Sequence, residues 1–170
     1  MTGGTMTIWD LFKKPSSPNA GEPAPADPSL EMQVRGCTQA VLEEWAGFTP
    51  SFLGAPGTRP LTGMVSLGAP LDGPRRGLLC ISASHRLGAL LAVKATGDPG
   101  AGSFSGEALR ELCQQLRESL LVDAMGLDQR DYLIHAPDAL SHERWPLEKP
   151  VLSLLATVEG FPLELRLWLF

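Results

Sequence analysis

The chain has 170 residues and a formal charge of −5, with 14 Lys plus Arg against 19 Asp plus Glu. So thin a basic complement excludes the concentrated cationic surface that nucleic acids require, and no nucleic-acid partner is expected. No apolar run approaches the ~20 residues that cross a bilayer, and the start lacks the three-part pattern of a secretory signal, so no transmembrane segment and a cytoplasmic location are expected.

Residues 1–29 read as a flexible tail. In "TMTIWDLFKK", within residues 7–14, Ile8, Trp9, Leu11 and Phe12 cluster on one side of a helical turn and Lys13 and Lys14 follow. A docking peptide fits this pattern. So does a frayed start that folds back on the domain, or a weak membrane-surface contact that would need a second anchor. The following "KKPSSPNAGEPAPADPS" has no periodic apolar positions and cannot offset its ordering entropy, which makes it a linker.

From Leu30 to Phe170 the pattern is that of one folded domain, long enough to bury about 70% of its unfolded surface. Met32, Val34, Cys37, Val41, Leu42 and Trp45 recur at helical spacing and predict a first helix closing near Gly47. "SFLGAPGTRP" is turn chemistry, and "LTGMVSLGAPL" and "GLLCISAS" predict a hairpin across "DGPRRG". "HRLGALLAVKATG" predicts a second helix, "DPGAGSF" a loop, and Ser105 the N-cap of a third helix running to about Met125. "DYLIHA", "PVLSLLATVEG" and "PLELRLWLF" read as three closing strands. In the last, Leu163, Leu165, Leu167 and Leu169 alternate with Glu164, Arg166 and Trp168, the pattern of a strand with one buried face. The order α-β-β-α-α-β-β-β indicates an α+β fold with helices packed on a largely antiparallel sheet.

Cys37, Cys80 and Cys113 are far apart and set among apolar neighbours, as buried free thiols are. His85, His135 and His142 lack metal-ligand spacing, so no metal site is expected. Ser82 and Ser84 beside His85 imply no triad, and "GAPGTRPLTG" lacks the Lys of a phosphate loop.

The third helix carries the distinctive pattern. Ala108, Leu109, Leu112, Cys113, Leu116 and Leu120 gather on one side, and Glu107, Glu111, Gln114 and Glu118 on the other. Such a polar strip is ordinarily just solvated. Here, however, Glu107 is followed after three residues by Glu111, after two more by Gln114, and after twenty-two more by Pro137. This spacing resembles that of the CheC/CheX/FliY family of chemotaxis phosphatases, whose motif is Asp or Ser, three residues, Glu, two residues, Asn, twenty-two residues and Pro. The spacing is complete, and two residue types depart: Glu107 stands for Asp or Ser, and Gln114 for Asn. A single motif copy makes the chain more similar to CheX than to CheC.

The resemblance implies a CheX-like domain over residues 30–170 that acts on the phospho-aspartate of a CheY-like response-regulator receiver, with homodimerisation. Glu111 and Gln114 would then be the catalytic pair. The first would meet the receiver's active-site lysine, and the second would orient a water for in-line attack. The chain needs no cofactor of its own, because the receiver supplies Mg²⁺. Glu107 and Glu118, with Ile8, Trp9, Leu11 and Phe12 of the tail, are the candidate partner contacts. The alternative is a non-catalytic scaffold or dimerising module of the same fold with the N-terminal docking peptide. Gln is one methylene longer than Asn, and displacing a positioned group by ~1 Å costs on the order of a hundredfold in rate.

Overall fold

The computed structural model describes residues 28–57 and 61–170; Ile8, Trp9, Leu11 and Phe12 lie outside the described residues. Helix α1 (Pro28–Ala46) turns Val34, Val41 and Leu42 into the core. It closes where Gly47, at φ 70°, lets the Phe48 N–H reach back to the Leu42 oxygen at 3.2 Å. The turn-rich stretch that follows opens with a short strand, β1 (Ser51–Phe52), because its residues find Thr157 and Ala156 opposite them. The hairpin is as expected, with β2 (Met64–Leu71) paired to β3 (Gly77–Ser84) from Met64↔Ser84 to Leu71↔Gly77.

Helix α2 (His85–Thr96) starts under the Ser84 hydroxyl, which accepts from the Leu87 N–H at 3.2 Å. The expected loop after it is a 3₁₀ helix (Pro99–Phe104), initiated by the Asp98 carboxylate on the Gly100 N–H. This helix runs directly into α3 (Ser105–Ser119), so Ser105 is already helical and does not cap; Phe104 holds the cap position without a side-chain bond. α3 continues through a π-helical turn (Leu120–Ala124) and stops at Gly126, φ 61°.

"DYLIHA" does not form the first closing strand. It begins in a 3₁₀ turn (Gln129–Asp131) and touches the sheet through one bridge, Asp72↔Leu133. The strand that takes its place is β4 (Asp138–Ala139), on Leu67 and Gly68 of β2. A side-chain scaffold, described below, holds this segment where a ladder would have done so. β5 (Leu152–Val158) and β6 (Phe161–Leu169) close the chain through a two-residue turn, Glu159–Gly160.

The sheet is antiparallel throughout, in the order β1-β5-β6-β3-β2-β4. One face presents Leu67, Leu71, Leu79, Ile81, Leu154, Leu163, Leu165 and Leu167 to Leu42, Leu87, Leu91, Leu109, Leu112 and Leu116 of the three helices, forming the main core. Each fully buried leucine contributes roughly 1.5–3 kcal/mol relative to exposure. The other face is buried as well, which the alternation in β6 did not predict. Leu140 and Trp145 fold over Leu78, Cys80 and Trp168. Beside them the buried Arg166 donates to Glu164 at 2.8 Å and to the Gly57 oxygen at 2.8 Å, under the Trp145 ring. The Trp168 indole N–H finds the Glu148 oxygen at 2.8 Å.

Candidate functional site

The candidate strip owes its position to the opposite side of α3. Ala108, Leu109, Leu112, Cys113 and Leu116 are all buried, as is Leu120 in the turn beyond. Gly88 sets how closely α2 approaches, since a Cβ there would lie 2.7 Å from the Ser105 oxygen and 3.0 Å from Leu109 Cγ. The three thiols are buried and free. Burial pushes Cys80 up to about 12, and it raises Cys113 and Cys37 as well. None is a nucleophile at neutral pH.

The strip lies along the exposed side of α3. Glu107 is exposed, while Glu111, Gln114 and Glu118 are half-buried. Glu111 and Gln114 are each engaged along the helix. Gln115 Nε2 donates to Glu111 Oε1 at 2.7 Å, and Gln114 Nε2 donates to Glu118 Oε1 at 3.1 Å.

The distant member of the pattern comes back to the same helix. Pro137 is buried just before β4, and the residues on either side are fastened to α3. Arg110 Nη2 lies 3.8 Å from Asp138 Oδ1. Arg117 Nη1 donates to the His135 oxygen at 2.5 Å and, at 3.4 Å, to that of Pro70. Gln114 stands four residues after Arg110 and three before Arg117, so it is their neighbour along the helix.

Arg117 is the residue the sequence reading missed. It is 3% exposed, and burial lowers its pKa from the ordinary value. Its Nη2 is buried with no hydrogen-bond partner among the described residues. A cavity of about 10 Å³, room for roughly one water, lies beside it between Pro70, Glu118, Tyr132, Leu133 and Ile134. The available signal was its place next to Cys113 and Leu116 on the buried arc, where a cation needs partners from another element.

A second set of bonds fixes the same segment to the end of β2. The Leu133 N–H donates to the Asp72 oxygen at 2.8 Å, and His135 Nε2 pairs with Asp72 Oδ2 at 2.9 Å. Among the described residues no group of three His, Cys, Asp or Glu is placed to hold a metal ion, and no helix is long and apolar enough to cross a membrane.

No protein-family model matches the sequence, and neither does any curated protein. Solved structures do match. CheX from Vibrio vulnificus superposes with a TM-score of 0.62 at 14% identity, over 83% of this chain and 96% of that one. A CheC-like superfamily protein from Shewanella sp. PV-4 gives 0.60 at 13%, over 85% and 99%. CheX in the CheX–CheY–BeF₃–Mg²⁺ complex from Borrelia burgdorferi gives 0.54 at 15%, over 81% and 96%. Three helices on one face of an antiparallel sheet, matched over nearly the whole length of these proteins, make this a chain of the CheC/CheX/FliY-type fold.

Proposed function

We propose that this chain docks on a phosphorylated CheY-type receiver domain through α3 and hydrolyses the receiver's phospho-aspartate, in cytoplasmic chemotaxis or a related two-component pathway. The observation that carries the reading is the return of the chain on both sides of Pro137 to Arg110 and Arg117 of α3, the helix that holds Glu111 and Gln114, on a CheX-type fold. The Borrelia structure, a CheX with CheY, beryllofluoride and Mg²⁺, supports the choice of partner.

The side-chain geometry suits positioning chemistry. An ionised carboxylate only accepts, so Glu118 turns Nε2 of Gln114 toward itself and leaves Oε1 to accept a hydrogen from water. The same bond restrains the longer side chain, and such i,i+4 pairs contribute roughly 0.2–0.5 kcal/mol. Gln115 holds one oxygen of Glu111, leaving the other for a cation, which the family resemblance assigns to the receiver's lysine. The oriented water attacks phosphorus in line. Its oxygen bonds to phosphorus as the bond to the aspartyl oxygen breaks, giving inorganic phosphate and a free carboxylate. Mg²⁺ held by the receiver would neutralise charge on the phosphoryl oxygens, and positioning supplies much of the remaining acceleration.

One observation favours a second reading. Glu111 and Gln114 are both satisfied by i,i+4 partners, as side chains on an ordinary solvated helix face are. On that reading the chain is a non-catalytic scaffold or homodimerising module that uses Ile8, Trp9, Leu11 and Phe12 to dock. The two are separated by labelling the organism's CheY-type receivers with acetyl phosphate and Mg²⁺ and following phosphate loss. Catalysis requires acceleration by the native chain and its loss in Glu111→Ala and Gln114→Ala; equal decay in all samples leaves the scaffold.

A further inference from the structure

Leu133 and Ile134 are 67% and 68% exposed, between the buried Tyr132 and the buried Pro137. A single exposed aliphatic side chain is ordinary on a protein surface, but these two are adjacent and together form a small apolar patch. Here the backbone that carries them is tied on both sides. Leu133 is bonded to Asp72, His135 is bonded through its ring to Asp72 and through its oxygen to Arg117, and the Tyr132 hydroxyl accepts from the Arg75 N–H at 3.3 Å. The two side chains therefore stand on a rigid ledge. Glu118, which holds Gln114, lines the same cleft as Leu133 and Ile134, so the ledge continues the strip without a break.

We infer that this ledge is the apolar half of the partner-docking surface and that α3 is its charged half. The inference rests on the receiver reading and adds to it a footprint. Charge complementarity defines the occupant. Glu107, Glu111 and Glu118 call for a cation on the partner: Arg117 is engaged by main-chain oxygens, and the exposed Arg110, 3.8 Å from Asp138, leaves the strip net negative. The matching surface is that of a receiver domain presenting a basic side chain to the strip and, beside it, aliphatic or aromatic side chains to Leu133 and Ile134. Aliphatic anchors beside a polar strip supply affinity, and the strip supplies orientation and chemistry.

The test uses the full chain with Leu133→Ser and Ile134→Ser together, beside Gln114→Ala, against the organism's CheY-type receivers loaded with beryllofluoride and Mg²⁺. The ledge variant is expected to bind the receiver at least tenfold more weakly at unchanged Tm, with kcat for phospho-receiver retained at saturation; Gln114→Ala is expected to lose kcat and keep affinity. A ledge variant that binds as tightly as the native chain overturns the inference while leaving the receiver reading intact. Loss of self-association with receiver binding unchanged overturns it in favour of a second copy as occupant. Failure of the native chain to bind any receiver overturns both.

Discussion

Arg117 Nη1 and the main-chain oxygen of His135 lie 2.5 Å apart, joining the last turn of α3 to a segment eighteen residues further along the chain. This bond ties the helix that carries Glu111 and Gln114 to the loop that ends at Pro137. Replacing Arg117 by Met removes the donor to His135 and to Pro70. An unmet buried carbonyl costs about 1–3 kcal/mol, so a loss near 2 kcal/mol and a Tm fall of about 4–8 °C are expected. The Leu133 amide should exchange faster by a larger factor than the core amides of β3 or β6. An exchange rate that stays native at Leu133 would show that Asp72 alone holds the segment.

The pair Glu164–Arg166 is a second buried linkage. Each is at most 3% exposed, so removing one leaves the other charged in an apolar setting. Arg166→Met should cost about 3–5 kcal/mol by urea unfolding, and adding Glu164→Leu should recover most of that loss. Equal instability of the single and double variants would place the energy in the Trp145 stack and the Gly57 bond instead.

The thiols give a pH dependence of definite sign. Burial raises Cys80 from 9.0 to about 12 and also raises Cys113, so both stay protonated in the folded state while the unfolded chain ionises. Their contribution is fully present below pH 9, and it is lost as pH rises above that value at up to about 1.4 kcal/mol per unit for each thiol. In Cys80→Ala the slope of unfolding free energy between pH 9 and 11 should be shallower than in the native chain. An identical slope would contradict the burial. Both thiols should also resist iodoacetamide at pH 8 until urea unfolds the protein.

The β5–β6 turn stores a removable strain. Glu159 and Gly160 have φ 51° and 81°, the two positive values of a two-residue hairpin, and glutamate is poorly suited to the first. Glu159→Asn should stabilise by roughly 0.5–1 kcal/mol, read as a Tm rise of about 1–4 °C. A fall in Tm would mean that the Glu159 side chain makes a compensating contact.

How far the sequence disclosed this molecule depends on the range of the interactions concerned. Helix α3 was legible because Leu109, Leu112 and Leu116 oppose Glu107, Glu111 and Glu118 within a few turns, and the β2–β3 hairpin because its apolar runs flank a local turn. Glu164 and Arg166 looked like a wet face because the alternation is local, whereas their cover, Leu140 and Trp145, comes from another part of the chain. "DYLIHA" looked like a strand because Tyr132, Leu133 and Ile134 favour one. Its hold comes instead from Asp72 and Arg117, which only the fold brings near. The spacing from Gln114 to Pro137 was readable, but its physical setting, a loop bonded to the helix through Arg117, was not.

In the proposed function, Gln114 positions a water on a receiver's phospho-aspartate. Its most direct measurement is the first-order rate of phosphate loss from a phosphorylated CheY-type receiver of the same organism, saturated with the native chain or with Gln114→Ala. The native chain is expected to accelerate phosphate loss over the receiver's own decay, and the variant to lose about a hundredfold of that rate or return to the basal rate. Decay that is the same with the native chain, with the variant and with neither would contradict the proposed function.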